Sequence, residues 1–103
     1  MGTTNLKFLA TLEGIIQERL QNPSADSYTS SLANAGQKRI AQKVGEEAIE
    51  LALVSVDGDR TEIIGEAADL LYHILVLLNI QGIELADVVA VLEERSLATV
   101  AKE

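Results

Sequence analysis

Hydrophobic positions recur every three or four residues through most of the chain, which is the spacing of one face of an α-helix. The spacing predicts helices over 4–21, 28–35, 37–56, 59–81 and 84–101. No stretch alternates between polar and apolar residues as a half-buried strand does. The pattern therefore predicts an all-α fold, a bundle of four main helices with one short connecting helix.

Turn residues separate the predicted helices. Pro23 and its polar neighbours stop the first helix, and Gly36 ends the short one. Asp59 followed by Glu62 is a capping-box pattern with Asp in the cap position. Gly58 lies directly before that cap, so we expect a tight turn between two antiparallel helices.

Composition adds three limits to this picture. The chain has 103 residues, which suits one domain, 1–103, with one core. It has no cysteine, which excludes a disulfide scaffold and a thiolate metal site and fits a cytoplasmic protein. We find no pattern of a signal peptide, and the longest uncharged apolar run, 70–83, is too short to span a bilayer.

The net charge of −8 argues against nucleic acid or an anionic membrane as a direct partner. A small molecule that carries phosphate is still compatible with this charge. An acidic site holds such a molecule when divalent cations lie between carboxylate and phosphate.

Two pairs of acidic residues lie level with each other on the predicted helical hairpin. Counting outward from Gly58, Glu50 lies eight residues before it and Glu66 eight after, while Glu47 and Asp69 each lie eleven away. Equal steps mean equal height, at about 1.5 Å per residue. Because residues three apart share a helix face, four carboxylates converge if the two faces meet.

Converging carboxylates in a partly buried place repel one another, so some must protonate or bind a cation. Oxygen donors without cysteine point to a hard divalent cation such as Mg²⁺. Glu46 lies at the edge of the same cluster. The alternative is a solvated acidic face whose carboxylates pair with Lys38, Arg39 and Lys43.

Both hairpin helices also have apolar residues on their other sides, so we expect the hairpin to be covered twice, by a homo-oligomer of which a dimer is the simplest form. Gly45 and Gly65 interrupt these helices beside Glu46 and Glu66, and close helix packing is the preferred explanation over room for a ligand. His73 is interpreted as a core or interface histidine.

Three segments together resemble a known family. They are KVGEEAIE over 43–50, GEAADLLYHILVLL over 65–78 and SYTSSL over 27–32. They resemble phosphoribosyl-ATP pyrophosphatase of histidine biosynthesis, a relative of the all-α nucleoside triphosphate pyrophosphatases of the MazG type. The resemblance extends over about 27–95, most of the chain.

The resemblance implies Mg²⁺-dependent hydrolysis of phosphoribosyl-ATP to phosphoribosyl-AMP and pyrophosphate by a cytoplasmic, stand-alone helical homodimer. On this interpretation Glu46 or Glu47 orients or deprotonates the attacking water. The expected metal ligands are Glu47, Glu50, Glu66 and Asp69. The expected substrate-binding residues are Lys43, Lys38, Arg39, Ser27 and Tyr28, although capping of the short helix explains Ser27 as well.

Two other functions are compatible with the sequence. One is a house-cleaning pyrophosphohydrolase acting on dNTPs or modified NTPs, against which the Tyr72-His73 extension argues. The other is a catalytically silent helical dimer used as a binding module, which would tolerate loss of Glu50 or Asp69.

Overall fold

The computed structural model describes residues 3–102, with side chains described for residues 5–97. No strand occurs in this part of the chain, and the all-α prediction is confirmed. A 3-10 turn, Thr3–Lys7, precedes five helices, which are α1 Phe8–Gln21, α2 Tyr28–Ala35, α3 Gln37–Asp57, α4 Arg60–Ile80 and α5 Leu85–Lys102. These are the four main helices and the short connecting helix that the pattern predicts.

The helix boundaries differ from the prediction chiefly at the start of the chain. The segment predicted as one helix over 4–21 begins with the tighter 3-10 turn and becomes α-helical only at Phe8. The other boundaries agree within about one residue, as helix ends often do. Positions 1, 2 and 103 of the predicted domain lie outside the described residues.

The turn between α3 and α4 positions the two longest helices side by side. The Glu62 backbone N–H donates to Asp59 Oδ1 at 2.9 Å, and the Asp59 N–H donates to Glu62 Oε1 at 3.1 Å, which completes the predicted capping box. A Cβ added to Gly58 would lie 2.6 Å from the Val54 carbonyl oxygen, so the turn requires glycine. The resulting α3–α4 contact is the largest between any two elements described.

A small aliphatic core joins α1, α2, α3 and α4. Its fully or almost fully buried members are Ile16, Leu32, Ile40, Leu75 and Val76. Burying each such side chain contributes about 1.5–3 kcal/mol. The core therefore fixes α2 against the hairpin, which matters because α2 carries two of the predicted substrate residues.

Helix α5 is attached at its N-terminal end and extends away from this core. The buried Glu13 carboxylate accepts hydrogen bonds from the Leu85 backbone N–H at 2.7 Å and from Asn79 Nδ2 at 3.0 Å. Every residue from 89 to 97 is exposed. The subunit is accordingly elongated, 51 × 33 × 29 Å, with a radius of gyration of 15.7 Å, against about 13 Å for a compact domain of this size.

Helix α4 is also long and apolar enough, by length and composition alone, to cross a membrane. Of its most apolar 18-residue stretch, 17% is buried inside the structure. Core helices of soluble proteins pass the same test of length and composition. Glu66 and Asp69 lie within α4, where a lipid-facing helix would avoid carboxylates. Its contacts with α3 and α1 are those of a helix packed in a bundle.

Candidate metal and nucleotide site

The predicted carboxylates meet between α3 and α4, with Glu66 at the centre. The pKa of Glu66 is raised above its ordinary value of 4.5, first by a hydrogen bond with the Glu50 carboxyl and then by burial. The negative charges of Glu50, Asp69 and Glu47 raise it further. The other three carboxylates therefore lie within electrostatic reach of Glu66, and Glu50 is its direct neighbour, as equal distance from the turn predicts.

Burial divides this cluster into two parts. Glu47 is 9% exposed, Glu66 is half-buried, and Glu50 and Asp69 are exposed. Two oxygens, Glu47 Oε1 and Glu66 Oε2, are buried without an aligned hydrogen-bond donor. Buried carboxylate oxygens are rarely left in this state, because desolvation of an unpaired charge is costly.

These four residues fit a divalent cation by chemistry, although they are not gathered around one. Among the side chains described for 5–97, no group of three or more Asp, Glu or His is arranged to hold an ion as it stands. The donor set consists of carboxylate oxygens alone, which Mg²⁺ prefers. A cation at the two unpartnered oxygens would supply the positive charge that they lack.

Glu46 lies outside the cluster, at its exposed edge. Its Oε2 accepts a hydrogen bond of 3.0 Å from Gln42 Nε2 one turn earlier in α3. Neighbouring Glu47 points into the subunit, because consecutive residues on a helix lie about 100° apart.

The basic residues predicted to bind phosphate lie at two heights along α3. Lys38 and Arg39 are exposed in the first turn, and Lys38 lines an open cavity of about 570 Å³ between α2 and α3. Lys43 is half-buried, one turn before Glu47. Among the described side chains, these three basic residues form no ion pair with a carboxylate. The paired acidic face considered as an alternative is therefore not present in this part of the subunit.

The two predicted residues of α2 have different structural partners. Ser27 is the N-cap, and its Oγ accepts a hydrogen bond from the Ser30 N–H at 3.1 Å, so the capping explanation holds. Tyr28 is half exposed, and its hydroxyl lies 2.8 Å from His73 Nε2. The next residue, Thr29, is buried and bonds through its hydroxyl to that of Tyr72.

His73 is a residue that the sequence pattern did not assign to the site. It is 5% exposed, as expected for a core histidine, but its Nδ1 lies 2.6 Å from Glu47 Oε1. The aligned hydrogen-bond partner of Nδ1 is the Asp69 backbone carbonyl at 2.8 Å, so the Glu47 contact is close without being aligned. The signal for this role was available in its position, one turn after Asp69 on the carboxylate-bearing stripe.

The two glycines beside the cluster are not explained by packing within the subunit. A Cβ added at Gly45 or at Gly65 would meet nothing within 4 Å. The preference for close helix packing is therefore wrong for the subunit. Both positions face open space next to the carboxylates.

Comparison with known proteins adds an independent line of information. The model of a family described as phosphoribosyl-ATP pyrophosphohydrolase matches residues 9–96. Proteins called histidine biosynthesis bifunctional protein HisIE are similar to this chain. The one from Photobacterium profundum is 49% identical over 90 residues, 87% of this chain and 44% of that protein.

Two further bifunctional proteins of the same name show the same relationship. That of Vibrio cholerae is 49% identical over 92 residues, 89% of this chain and 44% of the relative. That of Buchnera aphidicola is 50% identical over 91 residues, 88% of this chain and 42% of the relative. The chain thus spans less than half the length of these relatives.

Proposed function

Because the chain belongs to the phosphoribosyl-ATP pyrophosphohydrolase family, we propose that it hydrolyses phosphoribosyl-ATP to phosphoribosyl-AMP and pyrophosphate, the second step of histidine biosynthesis. Water attacks the α-phosphorus, the bond between the α- and β-phosphates breaks, and pyrophosphate leaves. The observation that carries this proposal is the carboxylate cluster between α3 and α4, with its two unpartnered buried oxygens. We propose that the reaction takes place in the cytoplasm. A chain without cysteine forms no disulfide and therefore does not depend on an oxidising compartment.

The proposed cofactor is Mg²⁺, held by Glu47, Glu50, Glu66 and Asp69. Mg²⁺ held by these carboxylates would offset the negative charge of the triphosphate and of the pyrophosphate product. The raised pKa of Glu66 supports this assignment: besides a hydrogen bond with the Glu50 carboxyl and burial, it reflects the negative charges of neighbouring carboxylates, which a cation would offset.

Glu46 and Glu47 are the proposed carboxylates for the attacking water. Glu46 is exposed and bonded only to a neutral amide among its described contacts, which leaves an oxygen free to accept a proton from water. Glu47 is buried at the cluster and would orient that water from within. Either role requires a carboxylate within hydrogen-bond reach of the water.

Lys43, Lys38 and Arg39 are the proposed phosphate-binding residues. None of them forms an ion pair with a carboxylate in the described part of the subunit, so their charge is available to a ligand. Charge-assisted hydrogen bonds to phosphate oxygens are stronger than neutral ones. Ser27 and Tyr28 stand at the N-terminus of α2, and we propose that the half-exposed Tyr28 ring contacts the nucleotide.

The active form is proposed to be a homodimer. Ile49, Leu53 and Val56 are 63%, 64% and 83% exposed, and they form one stripe on the side of α3 opposite Glu47 and Ile40. Apolar side chains of α5 are exposed as well. A second copy is the occupant that covers such an exposed apolar surface most simply.

The proposed reaction is tested by measuring pyrophosphate release from phosphoribosyl-ATP beside ATP and the four dNTPs, with and without Mg²⁺. We expect release from phosphoribosyl-ATP alone, and only with the metal. Preferential release from a dNTP would assign the protein to house-cleaning pyrophosphohydrolysis instead. No release from any substrate would favour the silent binding module.

Substitution of the cluster tests the site separately from the substrate. Glu50→Gln and Asp69→Asn should each abolish turnover without loss of helicity, because each removes one anionic donor while preserving shape. Glu18→Gln is the matched control, since Glu18 is exposed on α1. Turnover retained by Glu50→Gln or Asp69→Asn at the wild-type rate would contradict the metal-site assignment.

A further inference from the structure

A continuous chain of polar contacts joins three helices through His73. Tyr28 in α2 meets the ring at Nε2, 2.8 Å away. On the other side of the ring, Nδ1 lies 2.8 Å from the Asp69 carbonyl oxygen and 2.6 Å from Glu47 Oε1 in α3. Both nitrogens of the imidazole are therefore in close contact with other groups, one with α2 and the other with the carboxylate cluster.

The neighbours of Nδ1 determine where the ring proton lies. A backbone carbonyl only accepts hydrogen bonds, so the proton is on Nδ1 and points at the Asp69 oxygen. An unprotonated Nδ1 would direct a lone pair at two oxygens, the Asp69 carbonyl oxygen and the nearby Glu47 Oε1. Nε2 then accepts the hydrogen bond from the Tyr28 hydroxyl.

Aromatic packing holds this ring in place. The rings of Tyr28 and Tyr72 are stacked with centroids 6.0 Å apart, and each meets the His73 ring edge-on, at 5.7 Å and 5.2 Å. The hydroxyls of Thr29 and Tyr72 form a second bond between α2 and α4. Rotation of the imidazole would break at least one of these contacts, so its orientation is fixed by its surroundings.

We infer that His73 is a positioning residue of the proposed cation site: its Nδ1, which lies 2.6 Å from Glu47 Oε1, confines the Glu47 carboxylate to the orientation that cation binding needs, and Tyr28 fixes the ring that does so. The inference rests on the proposed function for the identity of the site. A polar neighbour in close contact with a ligating carboxylate restricts the rotamer of that ligand and thereby influences its affinity for the ion.

Two substitutions test the roles of the two ring nitrogens separately, because each places a side-chain amide near the position of one nitrogen. In His73→Asn the amide NH₂ takes the place of Nδ1–H, and in His73→Gln the amide oxygen takes the place of Nε2 as acceptor for the Tyr28 hydroxyl. The measurement is Mn²⁺ affinity of the full chain without substrate, followed by the signal of free Mn²⁺ in electron paramagnetic resonance. We expect His73→Gln to weaken Mn²⁺ binding about 10–100-fold and His73→Asn to stay near the wild-type affinity.

Tyr72→Phe is the matched control, because it removes the neighbouring bond between α2 and α4 without reaching Glu47. We expect it to bind Mn²⁺ as the wild type does. Equal affinities in His73→Gln and wild type would overturn the inference, as would equal weakening in His73→Gln, His73→Asn and Tyr72→Phe, which would indicate general loosening of α2. Helicity and melting temperature of each variant are recorded alongside.

The inference and the proposed function fail in different measurements. If the variants show the expected pattern of Mn²⁺ affinities while the wild type releases no pyrophosphate from phosphoribosyl-ATP, the substrate assignment is wrong and the role of His73 stands. If turnover is normal and the affinities do not differ, His73 is a core residue only. A wild type that binds no Mn²⁺ contradicts the inference directly.

Discussion

Glu66 illustrates at the scale of one residue how the candidate site opposes the folding of the metal-free subunit. Its pKa is raised by the Glu50 carboxyl, by burial and by two further carboxylates. The folded chain therefore holds the Glu66 proton more tightly than the unfolded chain does. Stability from this group is fully present below the unfolded pKa and is lost as pH rises through the folded one.

A pH dependence of stability follows from that sign. Without divalent cations, we expect the melting temperature to fall as the pH is raised from about 4.5 through neutrality. In Glu66→Gln this fall should be smaller, because the side chain no longer ionises. Thermal unfolding monitored by circular dichroism at several pH values in the presence of a chelator measures the difference between the two proteins.

The comparison with Glu66→Gln is needed because the chain carries a net charge of −8, and its other acids also repel one another as pH rises. Identical slopes in wild type and Glu66→Gln would show that Glu66 has an ordinary pKa in the folded state. Saturating Mg²⁺ should flatten the wild-type slope, since the cation offsets the same charge.

At the scale of single residues, the sequence predicted contacts correctly where helix geometry alone determines which two side chains are neighbours. The pairing of Glu50 with Glu66 follows from equal distance to Gly58 along two straight helices. The contact of His73 with Tyr28 was different, because it depends on how the polar segment before α2 folds back onto α4. No periodicity encodes that placement, and a hydroxyl partner such as Tyr28 is not visible in a one-dimensional pattern.

At the scale of elements, the hairpin depends on its turn. The capping box satisfies two backbone N–H groups that would otherwise lack partners at the start of α4. Because α3 and α4 each have 21 residues and share the carboxylate cluster, any change in the turn alters the relative height of the two carboxylate pairs.

Removal of the cap should therefore be measurable. Asp59→Ala is expected to lower the free energy of unfolding by about 0.5–2 kcal/mol, measured by urea denaturation. Asp57→Ala is the control: it removes a neighbouring acid at the C-terminal end of α3, where negative charge is unfavourable. Equal destabilisation by both substitutions would contradict the assigned role of the cap.

Substitution of glycines inside the helices tests whether the open space beside them is used by a ligand. Gly65→Ala should raise the free energy of unfolding by about 0.8–1 kcal/mol, because the added Cβ meets nothing within 4 Å. We expect it also to reduce pyrophosphate release, since that space adjoins Glu66. Urea denaturation and turnover are measured on the same preparation.

Gly14→Ala is the matched control, because Gly14 lies inside α1 and also faces open space. It should gain similar stability and keep full turnover. If Gly65→Ala also keeps full turnover, the space beside Glu66 is not used by substrate. The sequence pattern led to the wrong explanation for this glycine because a missing side chain looks the same whether a helix or a ligand fills the gap.

At the scale of the whole molecule, the single subunit is incomplete as a bundle. Its core of fully buried aliphatic residues is small, whereas α3 and α5 leave apolar side chains in solvent. The periodicity predicted this excess, because both hairpin helices are apolar on more than one side. The direction in which α5 leaves the core was not predictable, since it depends on the Glu13 contact with the first turn of α5.

Charge placed on the exposed stripe of α3 should separate the proposed dimer. We expect Leu53→Glu to be monomeric by light scattering at concentrations where the wild type is dimeric, because a buried unpaired carboxylate is costly. Ser55→Glu adds the same charge at an exposed position outside the stripe and should stay dimeric. Unchanged mass in Leu53→Glu would place the interface elsewhere.

The two-residue link between α3 and α4 also bears on the order of folding. All four proposed metal ligands lie within 47–69, on two helices joined by Gly58 and Asp59. Contacts between residues so close in sequence form fast, because little chain entropy is lost in closing the loop. We expect the hairpin to be a folding nucleus, so that the carboxylates are already opposed in the nascent chain before the proposed second copy binds.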